Sequence, residues 1–355
     1  MNSDYDVLHA ALSDGPRAIE AWTRWQNAGH LDKMPGDAYR LMPLVHAHLV
    51  AVGYEGKELG LVKGIRRRLW VEGEQRVYTA LPFLKDLTQR VGKLIFLKGA
   101  PLAALIYKDF GMRPMSDLDV LVEEEVALAV VQHLVAGGWQ MVIHPQPRTV
   151  DQEFMSFRHG MGFKHACGVE LDVHWHLSYL GTRPGLDKIV REAAEPFNLK
   201  GLNCWTLCPT DHLFHAMVHG ILYNPFPASR WIADAMWIMR SDRAVDFKRI
   251  EELARHYDVS PHVKAAISLL KNEFGAEIPE LELKAAGYWL RQEFERDTKN
   301  WLDCPKARVI AATLYRYRRT GSSFLSIGKL WRYCQFQWDL TTTAGFVNNL
   351  KRLCS

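Results

Sequence analysis

Three aspartates carry the clearest chemistry in this sequence. Asp117 and Asp119 stand two residues apart in an alternating stretch that ends at Val122, so a β-strand would place both carboxylates on one face. Carboxylates side by side repel each other and have low strand propensity, and a divalent cation resolves that repulsion. Asp172 stands in a second strand pattern, 169–177, and we expect it beside the pair on a neighbouring strand. Because Mg²⁺ prefers a few carboxylate oxygens with water and substrate phosphates, these residues predict a magnesium site.

A glycine turn precedes the aspartates. The apolar run 94–97 predicts a buried strand, Gly99 predicts a tight turn, and 100–107 predicts a helix. Backbone N–H groups can approach a ligand closely at such a glycine, and a helix N-terminus favours phosphate. We therefore expect the turn to lie against the phosphates of a substrate.

Polar side chains flank the turn and the aspartates. Lys98 precedes the glycine, and Arg113 and Ser116 precede Asp117. A guanidinium is well shaped for bidentate phosphate contact, and cationic groups offset the charge of a triphosphate. The residues expected at the phosphates are therefore Lys98, Gly99, Arg113 and Ser116, with the Ser116 hydroxyl bonded either to a phosphate or to the adjacent backbone.

Two histidines beside Asp172 leave a second metal chemistry open. His174 and His176 share its predicted strand face, and a mixed set of imidazoles and a carboxylate suits Mn²⁺ or Zn²⁺ hydrolysis. His174 would otherwise contact phosphate or orient a metal ligand. We find no further His and Asp motifs of a phosphohydrolase, which favours the second interpretation.

A helix pattern carries another set of metal ligands. Asp211, His215 and His219 recur every four residues and share one helix face, and a His pair at that spacing can chelate a transition metal. The intervening Glu of a metalloprotease motif is missing from the sequence. The alternative is that these histidines pack as ordinary helix residues.

The order of these motifs resembles the DNA polymerase β-like nucleotidyltransferase superfamily: a glycine turn, then Asp-x-Asp between apolar residues, then a third carboxylate on a later strand. Within it, the stretches 97–100, 113–122 and 169–175 look like an uncharacterised bacterial nucleotidyltransferase family. The superfamily usually has Gly or Ser after its glycine, where this chain has Ala100. Arg230, Trp231 and Asp234 resemble a recurrent Arg-Trp-x-x-Asp element of the family.

The resemblance implies an α+β fold, with a polymerase β-like core of a small mixed sheet and helices between N-terminal and C-terminal helical regions. It implies an Mg²⁺-dependent transferase, with Mn²⁺ as the other candidate ion. Such an enzyme moves an NMP group from an NTP, most simply ATP, to an acceptor and releases pyrophosphate. The catalytic and metal-binding residues would be Asp117, Asp119 and Asp172. The nucleotide-binding residues would be Lys98, Gly99, Arg113, Ser116, His174 and His219.

Two rival functions stay open at this point. One is a non-catalytic nucleotide-binding or partner protein that retains the fold. The other is a nucleotidyltransferase that acts on nucleic acid. The acceptor itself is unassigned, because this core transfers nucleotides to small molecules, peptides or proteins, and RNA, and a fold does not choose among them.

Length and composition predict the size of the fold that carries these motifs. The 355 residues, 48% hydrophobic and 24% charged, predict a globular chain of two or three compact units. We expect a helical region at 1–90, the α/β core at 91–200 and a helical domain with a basic tail at 201–355. The sequence shows no signal-peptide pattern, no run of about 18 apolar residues and no paired cysteine spacing, which favours a cytoplasmic protein with reduced thiols.

Two basic segments stand apart from the aspartates. Residues 63–68 read Lys-Gly-Ile-Arg-Arg-Arg, which predicts a solvated helix face or a surface near a triphosphate. Residues 305–355 hold nine Lys or Arg, one acidic residue and interleaved aromatic residues. This composition fits phosphate contacts with base stacking, a helix on an anionic lipid surface, or an ordinary helix face.

Overall fold

Helices come before the first strand. The computed structural model describes residues 5–142, 150–223, 230–283, 306–323 and 325–337. The first part contains α1 (Asp6–Leu12), α2 (Gly15–Asn27), α3 (Gly36–Ala51) and α4 (Leu59–Val91). The Asp14 side chain caps α2 by accepting a hydrogen bond from the Arg17 N–H, and Gly92, with a φ of 72°, ends α4.

A mixed sheet follows. Its strands in the described residues are β1 (Ile95–Leu97), β2 (Leu118–Leu121), β3 (Gln140–Met141), β4 (Gly160–Lys164), β5 (Glu170–His174), β6 (Glu195–Leu199) and β7 (Leu202–Thr206). Their spatial order is β3-β4-β5-β2-β1-β7-β6. Strand β2 lies between β1, which is antiparallel to it, and β5, which is parallel to it. The strand that carries Asp119 is therefore flanked by the strands that carry the glycine turn and Asp172.

Helices connect several of the strands, and further helices follow the sheet. The connecting elements are α5 (Gly99–Pro101), which continues as a π-helical turn (Leu102–Ile106), α6 (Glu124–Ala136), α7 (Gln152–Ser156) and α8 (Lys188–Glu192). After the sheet come α9 (Pro209–Tyr223), α10 (Arg230–Arg240), α11 (Phe247–His256), α12 (Ser260–Phe274), α13 (Lys306–Arg319) and α14 (Ile327–Gln337). Among the described helices, none has the length and apolar composition that crossing a membrane requires.

Apolar side chains cover both faces of the sheet. Phe96, Val120 and Val173 belong to a core that also contains the buried side chains of α4 and α6. Because side chains alternate along a strand, Leu97 and Leu121 belong to the opposite core, with residues of α1–α3 and α9–α12. Asp119 shares the second face, so the helices on that side can contribute to its surroundings.

The observed architecture confirms the expected α+β class, with a mixed sheet between helical parts of the sequence. The division at 1–90, 91–200 and 201–355 stays a prediction, although β7 lies wholly after residue 200 and belongs to the sheet. Of the basic C-terminal segment, 306–323 and 325–337 are described, and the rest lies outside the described residues. Its contact with an anionic surface also stays a prediction.

Candidate active site

Asp119 and Asp172 occupy paired positions on the parallel strands β2 and β5. Cα partners on neighbouring strands point their side chains to the same face, so the register alone brings the two carboxylates together. Asp119 is buried, at 5% exposure, whereas 32% of the Asp172 side chain is exposed. One carboxylate is thus set into the fold and the other borders solvent.

His174 lies between these two carboxylates. Its Nε2 is 3.3 Å from Asp119 Oδ1 and 3.1 Å from Asp172 Oδ2. Burial opposes protonation, but the neighbouring carboxylates outweigh it and raise the pKa of His174 to about 9. The buried Nδ1 has no hydrogen-bond partner within the described residues. The imidazole therefore acts as a cationic bridge that holds both carboxylates.

Lys98 supplies a second cation at the end of β1. Its Nζ lies 2.7 Å from Asp119 Oδ1. Burial works against the charge, but Asp119 and Asp172 raise the pKa of Lys98. The backbone of Lys98 has a φ of 44°, a conformation that non-glycine residues rarely adopt and that is often found at functional sites. The unusual turn directs the ammonium group to Asp119.

Asp117 lies just outside the paired strands. β2 begins at Leu118, and the Ser116 hydroxyl donates a hydrogen bond of 3.2 Å to Asp117 Oδ1. Burial, and then the charge of Asp119, raises the pKa of Asp117. The ligand atoms of Asp119, Asp172 and His174 all lie within 4.8 Å of one another, a set that could hold a metal ion and that does not include Asp117. Ser116 thus contacts Asp117.

Gly99 has a packing role at the turn. A Cβ at this position would lie 3.2 Å from the Met115 Cβ and 3.3 Å from its Sδ, closer than side-chain carbons normally approach. The glycine therefore lets the turn after β1 pack against the loop that leads into β2. This close packing brings Lys98 and Asp119 onto neighbouring strand ends.

Arg113 is held in a buried ion pair. Its Nε and Nη2 donate to the two carboxylate oxygens of Asp234 at 3.0 and 2.8 Å, and its Nη1 donates to the Pro114 carbonyl at 3.3 Å. The Tyr107 hydroxyl also donates to Asp234, at 2.9 Å. All three nitrogens of the guanidinium are engaged within the protein, so Arg113 joins the β2 loop to α10.

A cavity of about 110 Å³ lies next to Lys98 and Arg113. Arg40 on α3 and Arg230 on α10 also line it. Burial, and then the charge of Arg113, lowers the pKa of Arg230 to about 10. Arg230 donates to the Pro114 carbonyl, while Arg40 forms no hydrogen bond or ion pair with the described residues. Among the described lining residues, four Lys or Arg outnumber two carboxylates, Asp37 and the paired Asp234, so positive charge is in excess beside Asp119. No sequence motif had singled out Arg40.

The histidines of α9 also reach this cavity. His215 and His219 line it with ring centroids 5.7 Å apart. Burial, and then the charge of Lys98, lowers the pKa of both well below the ordinary value, so both rings are neutral. Asp211 instead forms an ion pair of 2.6 Å with Arg249. The metal site that was one alternative for this helix face does not form among these residues. His219 lines the cavity, and its contact with a nucleotide stays a prediction.

His176 lies apart from His174. β5 ends at His174, and the His176 Nδ1 lies 3.1 Å from Asp187 Oδ2 and 3.6 Å from Glu124 Oε1. The chain bends after the strand, so alternation no longer holds at residue 176. The mixed centre of Asp172, His174 and His176 is therefore not formed, and His176 joins a separate cluster near α8.

A family model described as an uncharacterised nucleotidyltransferase matches residues 71–275, more than half of the chain. The matched range includes Lys98, the three aspartates, His174, the α9 histidines and Arg230. It does not include Arg40. No curated protein gives a significant match. The match agrees with the resemblance seen in the motifs, and the chain belongs to this family of uncharacterised nucleotidyltransferases.

Proposed function

We propose that the protein transfers an NMP group from an NTP, most simply ATP, to a hydroxyl of an acceptor, with release of pyrophosphate. The observation that carries this proposal is the register pair Asp119 and Asp172, set beside a cavity lined by Lys98, Arg40 and Arg230. Paired carboxylates next to concentrated positive charge are the arrangement that binds a metal–triphosphate complex.

The donor set fits Mg²⁺. Asp119 and Asp172 offer carboxylate oxygens, which are hard ligands of the kind Mg²⁺ prefers, and the exposed part of Asp172 leaves room for water and substrate oxygens. Asp119 and Asp172 would hold the ion, with Asp117 as a third carboxylate close by. Bound there, Mg²⁺ would neutralise charge at the reacting phosphate and lower the pKa of the acceptor hydroxyl.

The side chains of the protein would divide the remaining work. Lys98, Arg230 and Arg40 would offset the negative charge that develops on pyrophosphate as the bond from the α-phosphorus to its bridging oxygen breaks. Asp172 would accept the proton from the acceptor hydroxyl as the new oxygen–phosphorus bond forms. His174, through its contacts with Asp119 and Asp172, would keep both carboxylates in position.

The size of the cavity limits what it can take. Sites for whole small-molecule ligands usually have volumes of about 300–1,000 Å³, and this one measures about 110 Å³. We therefore assign the phosphate chain to the cavity and place the nucleoside beyond it. The acceptor is a small molecule, a peptide or protein, or RNA that offers a hydroxyl to the α-phosphorus.

Calorimetric titration tests the donor half of the reaction. Each of the four NTPs is titrated with and without Mg²⁺ into the wild type, Asp119→Asn and Asp32→Asn. Asp32 is exposed and serves as a carboxylate control. We expect one NTP to bind in a Mg²⁺-dependent manner, with affinity reduced roughly tenfold or more in Asp119→Asn, since a charged ligand contact is lost, and unchanged in Asp32→Asn.

Two outcomes would count against the proposal. Binding that ignores both Mg²⁺ and the Asp119 substitution would place the nucleotide elsewhere. Mg²⁺-dependent binding without pyrophosphate release, in the presence of RNA, peptide and sugar acceptors, would favour the non-catalytic nucleotide-binding protein.

A further inference from the structure

One stripe of α4 combines basic side chains with an exposed tryptophan. Lys63, Arg66, Arg67 and Trp70 follow a spacing of three and four residues, so they lie on the same face of the helix. All four line a cavity of about 690 Å³. Lys63 and Arg67 are exposed, as a solvated helix face requires, and the stripe forms one wall of a groove.

The opposite walls come from two loops. Lys108, Asp109 and Phe110 follow the π-helical turn, and Asn198 and Lys200 belong to the β6–β7 hairpin. Among the residues that the structure describes, none lines both this groove and the cavity beside Lys98. The groove is therefore a separate feature, and its α4 wall from Lys63 to Trp70 precedes the matched family range.

Positive charge exceeds negative charge in the groove. Of the described residues that line it, five are Lys or Arg and two are acidic, and both acidic residues are already paired. Arg66 binds Asp109 at 2.9 Å, and Lys200 binds Glu74 at 2.9 Å. Lys63 and Arg67 are exposed and form no ion pair or hydrogen bond within the described residues. Two cations are thus available to a phosphate.

Trp70 provides a flat apolar surface beside these cations. It is 48% exposed, and one edge packs closely on Gly111, where a Cβ would lie 2.8 Å from the Trp70 Cβ. His46 also lines the groove. Burial and the charges of Arg66 and Lys63 lower the pKa of His46, which favours its neutral form. An anchored, half-exposed indole next to unpaired cations suits a planar ring joined to a phosphate.

We propose that this groove binds a nucleotide unit, with its phosphate at Lys63 and Arg67 and its base stacked on Trp70. The cavity volume lies within the range of about 300–1,000 Å³ that holds small-molecule ligands. The unit comes either from a free nucleotide or from a single strand of nucleic acid, since both present a base next to a phosphate.

Fluorescence anisotropy tests the proposal on the full-length protein in EDTA. The probes are a labelled 12-nucleotide oligo(A) RNA and labelled AMP, with inorganic polyphosphate as an anion without bases. The variants are Lys63→Ala/Arg67→Ala and Trp70→Ala. The matched control is Arg68→Ala, because Arg68 is exposed on the same helix, pairs with Glu72 at 2.7 Å and does not line the groove.

We expect one of the labelled probes to bind, and its Kd to rise roughly tenfold in Trp70→Ala, as base stacking on an aromatic ring predicts. If RNA binds, the double variant should lower the slope of log K against log salt by about 1.4, since each phosphate contact on a single strand contributes about 0.7. Arg68→Ala should bind as the wild type does. Binding of AMP would identify a free nucleotide as the ligand. Binding of RNA without binding of AMP would identify a single strand of nucleic acid as the ligand.

Three results would overturn the proposal. The first is that neither probe binds the wild type. The second is that the groove variants bind the probe as tightly as the wild type does. The third is that polyphosphate displaces the probe while Trp70→Ala has no effect. The last result would identify a general anion surface without base recognition. These measurements use no Mg²⁺ and no transfer reaction, so they stand or fall independently of the proposed catalysis.

Discussion

Arg113 and Asp234 form a bidentate ion pair across 121 residues of sequence, with hydrogen bonds of 3.0 and 2.8 Å. Both side chains are almost fully buried. The pair ties the loop before β2 to α10, so it fixes the helix that carries Arg230 relative to the strand that carries Asp119. The geometry of the cavity depends on this contact between distant parts of the chain.

Removing one partner of this pair should destabilise the fold strongly. In Asp234→Ala, the Arg113 charge stays buried without its carboxylate, and the expected loss is about 3–5 kcal/mol of unfolding free energy. Urea denaturation measures it. Glu192→Gln, which removes an exposed partner of Lys188, should change stability by roughly 0.5 kcal/mol or less. Equal effects of the two substitutions would contradict the structural role of Asp234.

Arg40 should affect nucleotide affinity without affecting stability. It lines the cavity and forms no ion pair or hydrogen bond with the described residues. Arg40→Ala therefore leaves no partner unpaired, while the proposed phosphate contact is lost. We expect the Kd for the Mg²⁺–NTP complex to rise roughly tenfold, in line with a hydrogen bond to a charged group.

Thermal denaturation and calorimetry of Arg40→Ala provide the two readouts, with the exposed Arg17→Ala as the matched control. The contribution of α3 to the nucleotide site would be refuted by an affinity equal to that of the wild type. A large loss of thermal stability would show instead that Arg40 has a structural role.

Acid should weaken the junction between β7 and α9. The Thr206 hydroxyl donates to the Phe96 carbonyl at 3.0 Å, so it accepts from His212 Nε2 at 2.8 Å. Burial, and then the charge of Arg243, lowers the pKa of His212 to about 3. The unfolded chain therefore binds a proton below about pH 6.5 that the folded protein does not bind.

Unfolding free energy should accordingly fall as the pH drops below about 6.5, by about 1.4 kcal/mol per pH unit for this residue, until the folded pKa is reached. Urea denaturation at pH 7.5, 6.5 and 5.5 measures the slope. His212→Gln keeps a side-chain N–H donor and cannot take up the proton. The slope of its unfolding free energy against pH should therefore be smaller than that of the wild type by about 1.4 kcal/mol per pH unit. Identical slopes would rule out His212 as a source of the acid sensitivity.

Gly99 should resist even the smallest side chain. The added methyl in Gly99→Ala would crowd Met115, and overpacking of this kind destabilises by about 1–3 kcal/mol. Met115→Ala in the same chain would remove the Sδ contact at 3.3 Å and keep the Cβ contact at 3.2 Å, so the double variant should lose less than the sum of the two single variants. Gly64→Ala on α4, where nothing lies within 4 Å, should stabilise by up to about 1 kcal/mol. If the losses of unfolding free energy in Gly99→Ala and Met115→Ala simply add in the double variant, crowding of the Met115 side chain is not the cause of the destabilisation.

Local sequence patterns predicted the part of the site that depends on strands. The two strand patterns led us to expect Asp172 beside Asp119 on a neighbouring strand, and the observed register pairs these two residues. The rule of alternation failed at both strand ends. β2 begins one residue after Asp117, and β5 ends two residues before His176. Period-two alternation holds only inside a strand, and the ends of strands are set by tertiary packing.

Contacts between distant residues could not be predicted from such patterns. From the sequence we expected Arg113 to bind phosphate, because the residues around it give no sign of its actual partner, Asp234 on α10. Arg40 stands in no motif, and its place at the cavity depends on how α3 packs against the rest of the fold. The roles of the three aspartates in metal binding and catalysis remain predictions that the titrations above address.

The position of Arg40, on a helix outside the family match, affects which fragments of the protein can be expressed. A fragment cut at the limits of the family match would begin at residue 71, after the first turns of α4 (Leu59–Val91), and would lack α1–α3. The buried residues of α3, among them Leu41, Leu44 and Val45, share one core with Leu97 and Leu121 of the central strands. Such a fragment would expose that apolar surface to water and should aggregate when expressed alone. We therefore expect the smallest autonomous folding unit of this protein to be larger than the segment by which its family is recognised.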